Sequence, residues 1–234
     1  MKAIAINGSP RKKWNTATLL ENALSGCRAN GAETEVVHLY GHTYQGCTSC
    51  FACKTIGGKS YGRCSMQDEL SPILDRASQA DILVLGSPFY FHAETGEMRS
   101  FMERLLFPYL SYTPDHVSIF PRKIPTALVY TQNVTEEDMP AFYQDTSVAA
   151  SRAIMTRIFG SCEVLLCSDT YQFDDYSKYL STAWDPVAKA RRRKDVFPQD
   201  CERAYELGAR LAGAARELAT GAAAGGRGSL GEAF

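Results

Sequence analysis

The 234-residue sequence lacks the features of a membrane-spanning, secreted or nucleic-acid-binding protein. No apolar run approaches the length that crosses a bilayer, and Met1 leads directly into a predicted strand instead of a signal peptide. The net charge is -1 and most basic residues are scattered, so there is no general attraction for nucleic acid. We therefore expect a cytoplasmic protein that binds neither membranes nor nucleic acid.

Two common nucleotide-binding motifs are also missing. The sequence has no GxxxxGK[ST] loop, so nothing predicts Mg-ATP chemistry. No GxGxxG follows the first predicted strand, so a dinucleotide-binding fold is not indicated either. The sequence also shows no internal repeat.

The first strand of the sequence runs into a turn of polar residues and then into a helix. Gly8 allows a sharp turn and Pro10 stiffens the loop. The first turn of a helix leaves backbone N–H groups without partners and carries positive potential, so it binds anions. This loop predicts a phosphate site for a flavin nucleotide, although an ordinary capped helix has a similar pattern. The candidate phosphate ligands are Ser9, Arg11, Asn15 and Thr16.

The length and the hydrophobic content of 45% predict a single domain. We place this domain at residues 1–219 and expect a flexible tail at 220–234, which is rich in glycine and has little to bury. Predicted strands cover residues 3–6, 35–39, 81–86, 125–131 and 163–167. Predicted helices cover residues 17–30, 69–79, 97–106, 141–159 and 198–218.

This alternation of strands and helices predicts an α/β fold with a five-stranded parallel sheet covered on both faces. The flavodoxin-like three-layer sandwich, with strand order 2-1-3-4-5, fits it best. A ligand then lies beyond the carboxyl ends of the strands, beside the first strand. The loop after the third strand faces the same edge, where its aromatic residues suit a flat ring. The candidates at this edge are Pro88, Phe89, Tyr90 and Phe91, with Thr131 and Gln132 after the fourth strand and Tyr171 as a peripheral residue.

The two loops together resemble those of the NAD(P)H-dependent FMN reductases. The stretch GSPRKKWNTATL is similar to their GSxRxxSxT loop, and SPFYFHAETGEMRSFMERL is similar to their SPxYxxxxxGxxKxFxDR segment, with Arg99 and Glu103 replacing the common lysine and aspartate. The resemblance implies an oxidoreductase in which NAD(P)H gives a hydride to FMN and the electrons pass to a small-molecule acceptor. Because the flavin carries the chemistry, we name no catalytic residue.

Four cysteines form the pattern CxxCxxCx10C: Cys47, Cys50, Cys53 and Cys64. The pattern resembles that of the iron–sulfur flavoproteins, which implies a possible [4Fe-4S] cluster and electron transfer between FMN, the cluster and a partner protein. It also resembles the GCxxCxxC and GxCxxxDxM/L segments of cluster-free relatives. A zinc site and a redox dithiol are further alternatives. We favour free thiols, because the gap before Cys64 contains three glycines and looks flexible.

Two further expectations concern charge and assembly. The basic run at residues 189–194 is interpreted as a solvated face or as a site for the 2′-phosphate of NADPH. Aromatic segments at residues 106–112 and 170–176 predict a homodimer or homotetramer in which a neighbouring subunit covers the flavin.

Overall fold

A computed structural model describes residues 1–135, 137 and 147–225 of the chain. Five strands in this part form one sheet in the order β2-β1-β3-β4-β5, and every neighbouring pair is parallel. This arrangement confirms the predicted flavodoxin-like topology. The strands are β1 (Lys2–Asn7), β2 (Glu33–His38), β3 (Ile82–Pro88), β4 (Ile124–Thr131) and β5 (Gly160–Cys167).

Six α-helices of the described residues cover the sheet. Local sequence explains several of their ends: the Thr95 side chain caps one helix by accepting from the Met98 N–H group, and Asp185 caps another ahead of Pro186. No described helix is both long and apolar enough to cross a membrane. The helices are α1 (Asn15–Ala29), α2 (Ser71–Gln79), α3 (Gly96–Leu106), α4 (Ala149–Phe159), α5 (Pro186–Asp195) and α6 (Phe197–Gly225).

The sheet separates two hydrophobic clusters, because successive side chains of a strand point to opposite faces. In β1, Ala3 and Ala5 face α1 and α6, whereas Ile4 and Ile6 face the side of α2, α3 and α4. The molecule therefore has three layers. The carboxyl ends of β1, β3, β4 and β5 remain open at one edge of the sheet.

Two features differ from the predicted elements, and a third lies partly outside the described residues. The predicted helix at 141–159 is described from Ala149, and its residues 141–146 lie outside the described part. Helix α5 was not predicted, because its run of charged residues carries no apolar periodicity. Helix α6 continues past residue 219 to Gly225, since alanine favours helix over a mobile tail. The remaining residues of the expected tail, 226–234, lie outside the described part.

Candidate functional site

A cleft opens at the carboxyl edge of the sheet beside the start of α1. The loops that follow β1, β3, β4 and β5 enclose a cavity of about 100 Å³ there. Eight of the ten residues predicted to hold a flavin line this cavity, namely Ser9, Arg11, Asn15, Thr16, Pro88, Phe89, Tyr90 and Thr131.

The turn after β1 is built around Gly8. Its N–H group donates to the carbonyl oxygen of Gly86 at 2.8 Å, and its own carbonyl oxygen accepts from the Thr95 hydroxyl at 2.7 Å. A Cβ atom at this position would lie 2.8 Å from the Cβ atom of Met98, which is closer than real side chains approach. Glycine is therefore required here, because it lets the turn pack directly against α3.

Helix α1 begins with backbone donors available to a ligand. Its N-cap residue is Trp14, and no side chain of the described residues caps the helix. An indole cannot accept a hydrogen bond, so the first-turn N–H groups lack the usual Ser, Thr, Asp or Asn partner. The neighbouring side chains of Asn15 and Thr16 are buried, and the Thr16 hydroxyl hydrogen-bonds that of Thr131 at 2.8 Å. These donors fit a phosphate group.

Arg11 crosses the mouth of the cleft. Its guanidinium donates to the carbonyl oxygen of Gln172 and lies 5.5 Å from the centre of the Trp14 ring. Within the described residues it forms no ion pair with a carboxylate. Sites for small ligands usually measure roughly 300–1,000 Å³, so a whole flavin would extend beyond the cavity of about 100 Å³.

An aromatic wall stands on the β3 side of the cleft. The Phe89 ring stacks on that of Tyr130, with centroids 4.5 Å apart and an interplanar angle of 15°. The Tyr130 hydroxyl donates to the Glu94 carboxylate at 2.6 Å, and the Ser151 hydroxyl donates to the same oxygen at 2.6 Å. Burial, together with the charge of Glu94, raises the pKa of Tyr130. The phenol therefore stays protonated and holds the stacked pair in place.

Two predicted residues do not line the cavity. Phe91 lies with His92 at the tip of a tight turn, with φ values of 50° and 69°, and its side chain is completely exposed. Gln132 is buried and donates from Nε2 to the Ser168 hydroxyl at 2.9 Å. The predicted loops therefore meet at one cavity, but the side chains of Phe91 and Gln132 do not line it.

Other lining residues come from positions that sequence reasoning missed or left peripheral. The indole N–H of Trp14 and the side-chain amide of Asn15 donate to the carbonyl oxygen of Tyr171, at 3.0 and 2.9 Å. Thr170 and Gln172 complete the same wall. Backbone carbonyls give no signal in a sequence, because every residue has one. Only the aromatic character of Tyr171 pointed to this segment.

The four cysteines Cys47, Cys50, Cys53 and Cys64 line one small cavity at the end of α3. Lys54 anchors their loop by donating to the backbone carbonyls of Phe107, Pro108 and Leu110. The contacts between this loop and the end of α3 thus bring the four thiols to one cavity. The spacing of the cysteines alone did not predict this arrangement.

Polar neighbours act on two of these thiols. The buried Arg104 guanidinium donates to the Cys64 sulfur at 3.3 Å and pairs with the Asp68 carboxylate. A hydrogen bond with Ser65 is the main cause that lowers the pKa of Cys50, which favours its thiolate.

These thiols match the donor set of a metal centre but not its geometry. All eight cysteines are free thiols, and no group of three or more His, Cys, Asp or Glu side chains in the described ranges is arranged to hold a metal ion. The cavity between the cysteines measures about 20 Å³. That volume accommodates about one water molecule, so a cluster requires the loop to rearrange.

A larger open cleft of about 760 Å³ lies on the other side of Cys64. It is bounded by α2, α3 and residues 60–64, and it shares no lining residue with the cleft beside α1. The cleft beside α1 is the candidate ligand site, because it lies at the strand-order reversal and the first turn of α1 has no side-chain cap from Trp14.

The fold and this cleft define a flavodoxin-like flavoprotein. The model of the NADPH-dependent FMN reductase family matches residues 1–131, and the chain belongs to this family. The resemblance to this family that the two loops predicted is therefore confirmed.

A curated relative is similar to this chain over part of its length. An iron–sulfur flavoprotein of Methanocaldococcus jannaschii is 36% identical over 104 residues, which are 44% of this chain and 51% of that protein. The chain thus spans about half the length of the curated relatives it matches.

Solved structures extend the likeness of the fold over most of the chain. An NAD(P)H:quinone oxidoreductase from Methanothermobacter marburgensis has a TM-score of 0.62 at 17% identity, covering 90% of this chain and 96% of its own. An azoreductase from Bacillus anthracis has a TM-score of 0.61 at 15% identity, covering 90% and 99%. At these identities the likeness shows the fold alone.

Proposed function

We propose that this protein oxidises NAD(P)H and passes the electrons through bound FMN to a small-molecule acceptor, such as a quinone or another oxidised compound. The observation that carries the proposal is the uncapped start of α1, which opens into a cleft with an aromatic wall. The free N–H groups suit the FMN phosphate, and the Phe89 side suits a planar ring.

The chain contributes binding and orientation to this reaction. The chemistry that bound FMN would supply is hydride acceptance from a nicotinamide and onward electron transfer. The first turn of α1 and Arg11 would hold the phosphate, while Phe89 and Tyr90 would border the ring. Tyr130 keeps Phe89 in place through the buried hydrogen bond to Glu94. Because the cofactor carries the hydride, the site needs no protein nucleophile.

Steady-state oxidation of NADH and NADPH by FMN-loaded protein, with a quinone as acceptor, tests the proposal. The flavin released by heat is identified by chromatography in the same preparation. We expect FMN and rapid turnover with at least one nicotinamide. Bound FAD, or bound FMN without nicotinamide oxidation, would contradict the proposal.

A second candidate function is electron transfer between FMN, a [4Fe-4S] cluster and a partner protein. It is favoured by the four cysteines around one cavity and by relatives named iron–sulfur flavoproteins. Thr95, which caps α3 and bonds to Gly8 in the turn after β1, and Arg104, beside the cysteines, are nine residues apart, which is about 14 Å along the helix.

Iron and sulfide analysis of anaerobically purified protein decides between the two functions. About four irons per chain, lost when Cys50 is changed to Ser, would favour the second candidate. Cys201→Ser is the control, because Cys201 lies on α6 away from this cavity. Absence of iron, together with rapid turnover, would favour the first candidate.

A further inference from the structure

A segment beyond the residues matched by the family model braces the phosphate loop. The carbonyl oxygens of Tyr171 and Gln172 accept from Trp14, Asn15 and Arg11. Helix α5 follows this segment and adds a side-chain contact to the same loop. The start of α1 therefore depends on a part of the chain about 160 residues away, as the separations in these hydrogen bonds show.

The side-chain contact from α5 is made by Arg193. Its Nη1 group donates to the Asn15 side-chain oxygen at 2.6 Å. The guanidinium lies 4.1 Å from the centre of the Phe197 ring and 5.6 Å from that of Trp14. The amide nitrogen of Asn15 donates to the Tyr171 carbonyl. Both ends of the Asn15 amide are thus held, which fixes its orientation at the start of α1.

Arg193 differs from its basic neighbours on α5. Lys189 pairs with Asp169, and Arg192 pairs with Asp200 at 2.6 Å. Arg193 is partly buried, yet it has no carboxylate partner within the described residues. These three side chains are therefore not a solvated face, because each one bonds within the protein. Binding of the 2′-phosphate of NADPH stays a prediction.

Two cations thus flank the Trp14 indole. The guanidinium carbons of Arg11 and Arg193 lie 5.5 and 5.6 Å from its centre. Like charges held near one another, without carboxylates, repel and favour a bound anion. A phosphate monoester carries a charge of about -1.5 to -2 at pH 7, so the charges of both guanidinium groups attract it.

We propose that Arg193 is a positioning residue for the flavin phosphate. It orients the Asn15 amide and adds positive charge at the start of α1. The cleft therefore binds FMN, which carries a phosphate, more tightly than riboflavin, which does not. This inference deepens the proposed function and rests on it. Arg193 on α5 is thus a residue for FMN binding that lies outside the two loop motifs after β1 and β3.

The test compares the dissociation constants of FMN and riboflavin, measured by flavin fluorescence at low and high salt. The variants are Arg193→Gln, Arg193→Lys and the control Arg191→Gln, an exposed position on the same helix. We expect Arg193→Gln to weaken FMN binding about tenfold or more and to leave riboflavin binding unchanged. Arg193→Lys should recover part of the preference, because it keeps the charge. Arg191→Gln should match the wild type.

Salt provides a second readout, since screening weakens an exposed charge interaction. High salt should reduce the FMN preference of the wild type more than that of Arg193→Gln. Equal weakening of both flavins, or no change in the FMN preference, would overturn the role of Arg193 while leaving the proposed function intact. Wild-type protein that binds no FMN would overturn both proposals. Circular dichroism confirms that each variant is folded.

Discussion

Arg11 lies where the phosphate loop meets the segment after β5, and its charge has no carboxylate partner in the described part of the chain. We expect Arg11→Ala to weaken FMN binding by about 1–3 kcal/mol, the range of a lost charge-assisted hydrogen bond. Fluorescence titration measures the change. Lys13→Ala is the control, because Lys13 is exposed in the same loop and does not line the cleft. Unchanged affinity in Arg11→Ala would remove this residue from the site.

A second residue-scale feature is the ion pair between Asp68 and Arg104. The Arg104 side chain is 0% exposed, and its Nη2 group donates to Asp68 at 3.0 Å. Burial opposes ionisation of Asp68, but the hydrogen bonds and charge of Arg104 outweigh it and hold the pKa of Asp68 below its usual value. The pair ties the segment after Cys64 to α3.

This pair makes stability depend on pH in a defined direction. Because the pKa of Asp68 is lowered by folding, the stabilisation is present above the unfolded value near pH 3.9 and is lost as the pH falls through the folded value. Asp68→Asn should lower the free energy of unfolding by about 3 kcal/mol at pH 7, since it leaves a buried arginine unpaired. The difference from wild type should shrink near pH 3.

Urea unfolding at the two pH values tests this expectation. Asp75→Asn, at an exposed position on α2, is the control and should cost less than about 0.5 kcal/mol. If Asp68→Asn lowers the free energy of unfolding as much near pH 3 as at pH 7, the ion pair between Asp68 and Arg104 does not contribute as proposed.

At the scale of elements, α1 and α6 approach one another at two glycines. A Cβ atom at Gly208 would lie 1.8 Å from the Ala23 carbonyl oxygen, and one at Gly26 would lie 2.0 Å from that of Tyr205. Backbone atoms cannot rotate away as a flexible side chain can. The helices can therefore pack at this distance only where both positions lack a side chain.

Gly208→Ala should separate the two helices and lower the free energy of unfolding by about 1–3 kcal/mol, the usual cost of overpacking. Gly213→Ala on the same helix is the matched control, because nothing lies within 4 Å of its added Cβ atom. Helix propensity should make this control more stable by up to about 1 kcal/mol. Thermal unfolding measures the stability of both variants. Equal melting temperatures of Gly208→Ala and Gly213→Ala would contradict the close approach of α1 and α6 at Gly208.

At the scale of the whole molecule, we propose a homodimer or homotetramer in which a second copy covers the open side of the cleft. Most of the aromatic residues predicted for this role pack within the chain, as Phe107 does against Phe51 and Tyr112. The Phe91 side chain, at the rim of the cleft, is 100% exposed and offers an apolar surface for a partner copy.

Light scattering should give the mass of two or four 25.8 kDa chains. Phe91→Ser should shift the population toward a smaller species, whereas Ile56→Ser, at a surface residue distant from the cleft lining, should not. A monomeric wild type with full flavin affinity would show that one chain closes the cleft by itself.

The strand order and the loops that meet at the cleft could be predicted from the sequence. These features depend on local information. Apolar runs mark buried strands, and Gly8 or Pro88 at the end of a run marks the turn that follows. Parallel pairing then brings the ends of β1, β3 and β4 to one edge, whatever the distant parts of the chain do.

Only the tertiary structure decided which side chains enter the cleft and what supports them. The carbonyl of Tyr171 and the guanidinium of Arg193 reach Asn15 from more than 150 residues away, and no spacing rule encodes such a contact. The four cysteines show the same limit. Their spacing allowed thiols, zinc or a cluster, but their shared cavity depends on how Lys54 and Arg104 pack the loop against α3. Local sequence patterns predict the strands and helices, because backbone geometry is repetitive. The contacts of the cleft require long-range packing, because their partners meet only in the folded chain.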